Sequence, residues 1–370
     1  MEEKNERIGR SGCSPLFHPS ILPENTGMKT QLKYLLLPLL LFLRLAAPAQ
    51  DFHLSQFDAT PQYFNPALTG IYFGNAANYR IYSDYRSQWR SIGIKPFSTY
   101  YLAYDMPYKQ YGFGGYLIHN RNGIGGLNTI NFMPSASYKI TNEVSGPHNL
   151  SVGVQVGIFY KSFDPNSFTY DSQFSPGDPS GFNTNLSSGE NFNKTSLLKF
   201  DANMGVFYKY KKEEWKAHPW IGYSVYHITR PNQSLTGITK DKMPIRWVLE
   251  AGADYKLTED IALTPMLLFM LQGKAQELNI GSICFYHFKD TKYDVIGGLH
   301  YRVKDAIILQ AGMKYEQHIF TFSYDINTSY LSSYTSGRGA FEFSILLSGF
   351  KGQPLFNPKF RRGRSINKSL

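Results

Sequence analysis

The sequence alternates between apolar and polar side chains over several long stretches. Residues 150–160, 198–210 and 245–256 each place apolar side chains at every second position. In the last two stretches every charged residue falls on the opposite face, namely Lys199, Asp201, Lys209, Arg246, Glu250, Asp254 and Lys256. A period of two is the repeat of a β-strand, in which successive side chains point to opposite faces. The pattern therefore predicts strands that separate an apolar environment from a polar one.

The composition excludes two other classes of protein. A helical membrane bundle needs repeated apolar runs of about 20 residues, and the longest apolar run here, residues 34–43, is only half as long. Disorder is excluded because the chain is 42% hydrophobic and only 18% charged, which leaves ample apolar surface to bury. The 27 tyrosines and 27 phenylalanines favour strands.

Eleven further stretches bring the predicted strands to fourteen: residues 78–88, 97–106, 111–121, 127–140, 218–229, 261–271, 277–288, 293–302, 305–315, 317–326 and 338–348. Fourteen strands could form two soluble β-sandwiches or one barrel. The connections favour the barrel, because the long ones, residues 162–197, 230–244 and 327–337, all fall at odd-numbered gaps, as in outer-membrane proteins. Lipid offers no partner to a sheet edge, so only a closed sheet satisfies its backbone there. The predicted fold is therefore all-β, a transmembrane antiparallel β-barrel of about 14 strands within residues 76–350.

The N-terminal region predicts export. Met28, Lys29 and Lys33 precede the apolar run, and residues 47–49 read Ala-Pro-Ala, which is the pattern of a secretory signal peptide. We assign residues 28–49 to this signal peptide and residues 1–27 to an extension from an upstream start codon; the alternative is a genuine cytoplasmic extension. Cys13 precedes the predicted cleavage site and leaves Cys284 as the single cysteine of the mature chain, so no internal disulfide forms.

Residues 50–70 read QDFHLSQFDATPQYFNPALTG, which resembles the start of mature PorP/SprF family proteins of the type IX secretion system. The resemblance continues through shorter motifs at residues 78–80, 85–89, 96–100, 227–231 and 323–327, so it spans nearly all of the mature chain. Two departures stand out: residues 51–53 lack an expected proline, and the C-terminal tail lacks the Cys-Pro pair of many members.

The resemblance implies an outer-membrane component of the type IX secretion and gliding machinery of Bacteroidetes. PorP-like members associate with a periplasmic ring, whereas SprF-like members engage the C-terminal signal domains of secreted adhesins. The sequence does not separate these two roles. The implied partners are outer-membrane lipid and either the ring proteins or an adhesin C-terminal domain, with no nucleic acid and no small-molecule substrate.

Two segments flank the predicted barrel: a periplasmic N-terminal segment, residues 50–75, and a basic C-terminal tail, residues 351–370. The predicted topology brings both to the periplasmic rim, and we expect them to dock a periplasmic partner. The expected docking residues are Asn65, Pro66, Ala67, Leu68, Thr69, Gly70, Arg361, Arg362 and Arg364. The alternative for the tail is a disordered extension, which is common at chain termini.

The alternative functions are a general diffusion porin, since a large barrel can enclose water, and an outer-membrane lipid-modifying enzyme. The motifs H-E-x-x-H, G-x-S-x-G and G-x-x-x-x-G-K-[ST] are absent from the sequence, and His119, His227 and His300 are interpreted as lumen or interface residues. We expect no enzymatic activity, no cofactor and no metal. Asp164, Asp171, Asp178 and Glu190 could offer oxygen ligands to calcium, but their spacing fits no EF-hand. Three tyrosines of residues 97–106, Tyr100, Tyr101 and Tyr104, and the aromatic residues near Trp89 or Trp220 are interpreted as membrane-interface girdles.

Overall fold

A computed structural model describes residues 51–72, 77–92, 95–123, 126–141, 146–190, 194–235, 241–330 and 332–350. The predicted N-terminal extension, the signal peptide and the basic tail lie outside these residues. Within the described ranges, no helix has the length and apolar character needed to cross a membrane.

Fourteen antiparallel strands form one closed barrel, in which each strand pairs with its neighbours in the chain and β1 pairs with β14. The strands are β1 (Tyr79–Gln88), β2 (Phe97–Tyr108), β3 (Tyr111–Asn122), β4 (Leu127–Lys139), β5 (His148–Ser162), β6 (Ser196–Tyr210), β7 (Ala217–Tyr226), β8 (Arg246–Lys256), β9 (Ile261–Gln272), β10 (Ala275–His287), β11 (Tyr293–Arg302), β12 (Ala306–Tyr315), β13 (His318–Asn327) and β14 (Arg338–Gly349). The predicted fold class is confirmed, and every predicted strand end lies within three residues of the observed one.

The two faces of the wall differ as the alternation predicts. On β5, Val154 and Val156 are 55% and 62% exposed on the outer face. Their neighbour Gln155 is buried on the inner face. On β6 and β8, Asp201 and Arg246 are likewise buried inside the barrel. The charge segregation therefore reflects a hydrocarbon-facing exterior and a polar lumen.

Local backbone chemistry explains where the wall departs from a regular ladder. Strand β7 ends at Tyr226, three residues before the predicted end, because His227 adopts a left-handed backbone with φ 60°. Pro134 and Pro265 cause no shift of register. Pairing is instead interrupted beside Pro134 on the β5 side and beside Pro265 on the β8 side, since proline has no N–H to donate.

The two rims of the barrel carry different connections. The longest ones, residues 163–195, 227–245 and 328–337, all lie at one rim, called here the long-loop rim. The opposite rim, called the short-turn rim, carries tight connections such as residues 109–110 and 316–317, and it also holds the start of β1 and the end of β14. In outer-membrane barrels short turns face the periplasm and long loops face outside.

Exposed tyrosines mark the membrane boundary at the short-turn rim: Tyr108, Tyr111, Tyr138, Tyr255, Tyr286 and Tyr293. Such a ring is typical of an aromatic girdle. Two residues assigned to girdles by sequence point inward instead. Tyr101 is 1% exposed, and the Trp220 ring stacks on buried Phe207, with ring centroids 5.8 Å apart.

Candidate functional site

The lumen of the barrel is occupied by residues 51–72, called here the plug segment. Most of its side chains are buried, and those no more than 7% exposed include Leu54, Ser55, Gln56, Phe57, Thr60, Gln62, Tyr63, Phe64, Asn65, Ala67, Thr69, Ile71 and Tyr72. Phe57, Tyr63 and Phe64 pack with inward residues of the wall, such as Tyr116 and Ile118, in one hydrophobic cluster. Burial of large aromatic side chains contributes about 1.5–3 kcal/mol each, so the plug segment forms an interior core for the barrel.

A short helix and a turn shape the middle of the plug segment. Helix α1 (Pro61–Phe64) starts with a proline, whose missing N–H costs nothing at a first helical position. A 3₁₀ turn follows at Pro66–Leu68, and Asn65 caps it by accepting a hydrogen bond from the N–H of Ala67 at 2.9 Å. The same Asn65 side chain donates to Glu250 Oε1 on β8 at 2.9 Å. One residue therefore fixes both the turn and its attachment to the wall.

Serine and glutamine side chains of the wall bind the carbonyl groups of the plug segment. Ser151 Oγ donates to the carbonyl of Ala67 at 3.0 Å, and Ser137 Oγ donates to the carbonyl of Thr69 at 2.5 Å. Ser224 Oγ donates to the carbonyl of Phe64 at 2.6 Å, and Gln155 Nε2 donates to that of Gln62 at 2.9 Å; these two contacts involve β7 and β5. Buried carbonyl groups need such partners, so the polar inner face satisfies the backbone of the plug segment.

Glycines of the wall allow the turn to approach it closely. A Cβ at Gly153 would collide with the Pro66 carbonyl, and one at Gly205 would collide with the Asn65 side chain. In the plug segment itself, Gly70 has φ +63°, and a Cβ there would lie 2.5 Å from the Met106 carbonyl oxygen. These glycines are therefore required by the fit between plug and wall.

The plug segment is fixed near the short-turn rim by the inner latch, which consists of Gly70, Tyr72, Arg80 and Asp105. Asp105 is fully buried and accepts hydrogen bonds from the Gly70 N–H at 2.8 Å and from the Tyr72 hydroxyl at 2.9 Å. Arg80 Nη2 donates to the same carboxylate at 2.6 Å, and the guanidinium lies 3.7 Å from the centre of the Tyr72 ring. The latch thus compensates a buried charge with contacts from both plug and wall.

An ionic cluster holds the plug segment across the seam where β1 meets β14. Arg86 on β1 donates to Asp325 on β13 at 2.9 Å and to Glu342 on β14 at 3.0 Å. Ser55 donates its N–H to Glu342 at 2.8 Å and its hydroxyl to Asp325 at 2.8 Å. Arg302 Nη2 also donates to Asp325, at 2.6 Å. All of these side chains are buried, so the cluster is stable only while its partners stay together.

The plug segment begins near the long-loop rim, at the outer latch formed by Asp51, Asp201, His227 and Arg246. Asp51 Oδ2 lies 2.7 Å from His227 Nε2 and 3.1 Å from Arg246 Nη1, while His227 Nδ1 lies 2.5 Å from Asp201 Oδ2. Burial opposes a charge on His227, but the carboxylates of Asp51 and Asp201 outweigh it and raise the pKa of His227 to about 9. Burial also opposes ionisation of Asp51, yet His227 and Arg246 hold the pKa of Asp51 well below its ordinary value.

The two latches define the path of the plug segment. The outer latch contacts residues just after β7 and at the start of β8, which lie at the long-loop rim. The inner latch contacts the start of β1 and the end of β2, which lie at the short-turn rim. Residues 51–72 therefore run through the lumen from one rim to the other.

The expected docking residues Asn65–Gly70 thus lie inside the barrel, and all except Leu68 are buried. The sequence predicts this segment at the periplasmic rim, whereas the lumen holds it because its polar groups and the inner face of the wall satisfy each other. The signal that could have indicated this position was the set of glycines on the polar face of β5 and β6, since they leave room for another chain segment. Arg361, Arg362 and Arg364 lie outside the described residues.

The other candidate residues have structural contacts. His119 lies near Asn128 at 3.2 Å, and buried His300 packs edge-on against Phe57. Asp164 caps a short turn by accepting the N–H of Asn166. Across the described ranges, no group of three histidine, cysteine, aspartate or glutamate residues is placed to hold a metal ion.

Several solved structures are similar to the chain. The toluene transporter TbuX of Ralstonia pickettii has a TM-score of 0.46 at 12% identity, covering 78% of this chain and 92% of that one. The Pseudomonas putida toluene transporter TodX has a TM-score of 0.43 at 11% identity, covering 81% and 94%. A FadL homologue from Pseudomonas aeruginosa has a TM-score of 0.41 at 11% identity, covering 78% and 93%. These likenesses carry no inference about function.

No curated protein matches the chain. A family model described as type IX secretion system membrane protein PorP/SprF matches residues 46–347. This match covers the plug segment and nearly the whole barrel, and it confirms the resemblance carried by residues 50–70. Membership of a secretion system, together with a membrane β-barrel, implies the outer membrane. The chain therefore belongs to the PorP/SprF family of type IX secretion system membrane proteins.

Proposed function

We propose that this chain is a sealed outer-membrane barrel that docks secreted cargo, through an adhesin C-terminal signal domain, or the periplasmic ring of the secretion system. The observation that carries the proposal is the plug segment, which occupies the lumen from the outer latch to the inner latch. A lumen filled by buried protein leaves the two rims as the surfaces available to other components. Docking residues on the rims then connect an anchored wall to the rest of the machinery.

Exposed aromatic side chains on the long loops support a docking role for cargo. In the loop between β13 and β14, Tyr330 is 84% exposed and Tyr334 is 75% exposed. In the loop between β5 and β6, Phe174 is 59% exposed. Tyrosine and other aromatic residues are enriched at protein interfaces, where they bury large areas on binding. The short-turn rim and the basic tail are the corresponding surface for a periplasmic ring.

Affinity purification from native membranes tests the docking role. The tagged full-length chain is expected to enrich an adhesin C-terminal domain or ring proteins. Replacing Tyr330 and Tyr334 by serine should remove the adhesin, and reversing the charge of the tail arginines should remove the ring. The matched control for the adhesin replaces Trp215 and Leu257, exposed residues of two connections at the short-turn rim, by serine. Purification of neither partner from intact membranes would contradict the proposal.

Ion conductance separates the sealed barrel from the diffusion porin. Fourteen strands spaced about 4.8 Å apart and tilted by about 40° give a barrel about 28 Å across between strand axes. Inward side chains occupy about 5 Å on each side, half the distance between packed sheets. Deleting residues 51–72 should therefore open a water-filled path about 18 Å wide and produce a steady current in planar bilayers. The intact chain should stay silent, and a large steady current from it would favour the porin.

The absence of catalysis is part of the proposal. Among the described residues, His227 is bonded to two carboxylates and His119 to an amide, and neither pairs with a serine or threonine hydroxyl. A lipid-modifying enzyme would need such a pair to activate its nucleophile. Turnover of phospholipid by the purified chain would contradict this part of the proposal.

A further inference from the structure

A cavity of about 300 Å³ lies between the plug segment and the long-loop rim. Its floor is formed by Asp51, Phe52 and His53, the first described residues of the plug segment. Its sides are formed by the ends of strands that meet the long-loop rim, including Gln88 of β1 and Gln272 of β9. A volume of this size is at the lower end of the range of small-molecule sites, roughly 300–1,000 Å³. We name this space the vestibule.

Side-chain amides dominate the polar lining of the vestibule: Gln88, Asn120, Asn122, Asn131, Gln233 and Gln272. Asn120 is 2% exposed and donates to Thr99 Oγ1 at 2.7 Å. Within the described part of the chain, the Oδ1 atoms of Asn120, Asn122 and Asn131 are buried and have no hydrogen-bond partner. Each amide offers both donors and acceptors, and a buried acceptor without a partner is unfavourable. These three amides therefore keep an unused acceptor beside the vestibule, which rotation about the terminal side-chain torsion would turn toward the hydroxyl groups of a ligand.

Aromatic rings form the apolar part of the lining. Trp89 and Phe97 have ring centroids 4.8 Å apart, and Phe52 and Phe159 also border the space. Trp89 has φ 60°, a left-handed backbone that is rare for a bulky residue and concentrates at functional sites. Flat rings beside amides match a ligand that has apolar C–H faces and a polar edge, as a pyranose ring does.

The charged groups of the lining are already engaged by the protein. Asp51 is paired with His227 and Arg246 in the outer latch. Arg86 is paired in the ionic cluster, and Lys161 Nζ donates to Gln233 Oε1 at 3.0 Å. Ligand selection in the vestibule would thus rest on hydrogen bonds and ring contacts, which suit an uncharged ligand with both polar and apolar groups.

We infer that the vestibule is a binding site for a pyranose sugar that enters from the long-loop side. The aromatic rings would contact the C–H faces of the sugar, and the three unpartnered amide oxygens would accept its hydroxyl protons. This site is independent of docking at the rims, because none of its argued residues lies on the exposed loop surfaces assigned to cargo. Binding at this place would also bring the ligand into contact with the first residues of the plug segment.

Isothermal titration calorimetry on the full-length chain tests the inference. The protein is kept in dodecyldimethylamine oxide, since alkyl glucoside and maltoside detergents carry competing sugar headgroups. The probes are D-glucose, D-galactose and N-acetyl-D-glucosamine, each titrated separately. At least one of them should bind saturably with a stoichiometry of one. Trp89→Ala and Asn131→Leu should each weaken that binding by about tenfold or more, as expected for one lost contact of about 1.4 kcal/mol.

Matched variants separate a lost site from a lost fold. Trp215→Ala removes an exposed tryptophan near the short-turn rim and should leave sugar binding unchanged. Asn131→Leu leaves the bond between Asn120 and Thr99 in place, and each variant is checked for the heat-modifiable electrophoretic mobility of a closed barrel. The inference is overturned if none of the three sugars binds saturably, or if folded Trp89→Ala and Asn131→Leu bind as tightly as the unmodified chain.

Discussion

Replacing Arg86 by methionine should loosen the plug segment without opening the wall. Arg86 is 2% exposed and donates to Ser55 of the plug segment and to Asp325 and Glu342 of the wall. Methionine replaces the hydrophobic stem of the arginine but is shorter and carries no charge. The variant therefore leaves two buried carboxylates with fewer compensating contacts while the plug segment is seated.

The size of the effect follows from burial. Removing one partner of a buried ion pair costs about 3–5 kcal/mol. The cost applies to the seated state, because displacement of the plug segment would admit water that solvates Asp325 and Glu342. Since 1.4 kcal/mol is a factor of ten, the ratio of displaced to seated plug should rise by about two to three and a half powers of ten.

Single-channel recording in planar bilayers measures this ratio as the fraction of time during which the barrel conducts. The matched control is Lys292→Met, because Lys292 pairs with Glu316 at an exposed site where an ion pair contributes only about 0–1 kcal/mol. Adding Glu342→Gln to Arg86→Met should lower the open fraction again in part, since it removes an uncompensated charge from the seated state. An open fraction for folded Arg86→Met within tenfold of the unmodified chain would refute the reasoning.

Three further changes test other parts of the structure. Gly153→Val should displace the turn of the plug segment at a cost of about 1–3 kcal/mol and produce conducting events, whereas Gly297→Val, which has open space around it, should not. Raising the pH from 6.5 to 9 should weaken the outer latch by up to about 3 kcal/mol, because the raised pKa of His227 stabilises the latch fully only at pH values below the ordinary histidine pKa, while Asp51 stays ionised throughout. Maleimide labelling of Phe52→Cys in a Cys284→Ser background measures this. Labelling should rise with pH by more than it rises in the same protein carrying His227→Asn, in which only the larger thiolate fraction accelerates the reaction. Val156→Arg should lower the free energy of unfolding in vesicles by about 2–4 kcal/mol relative to Val156→Leu, and an equal stability of the two variants in urea would contradict the lipid-facing assignment.

Much of the barrel could be predicted because its determinants are local. The alternation of apolar and polar side chains along β6 and β8 reflects the two environments of the wall. The turns between strands fix the ends of the strands to within a few residues. The end of β7 was missed because the left-handed backbone at His227 depends on its contacts with Asp51 and Asp201.

The position of the plug segment could not be predicted in this way. Ser55 binds Glu342, which lies 287 residues away in the chain, and no local period encodes such a pairing. The signal was indirect: glycines such as Gly153 and Gly205 lie on the polar faces of β5 and β6. The vestibule could not be predicted either, since Trp89 and Asn120 border the same cavity only after the strands have closed into the barrel.

The ionic cluster has a consequence for the order of assembly. Its members come from the segment that precedes the first strand, from the first strand itself and from the last two strands. Ser55 cannot bind its carboxylate partners until the hairpin of β13 and β14 has formed. The N-terminal segment therefore depends on the C-terminal strands for its final contacts. Contacts of such high sequence separation slow folding. The N-terminal residues should therefore adopt their final position last. They would then link β1 to β14 after these two edge strands have paired.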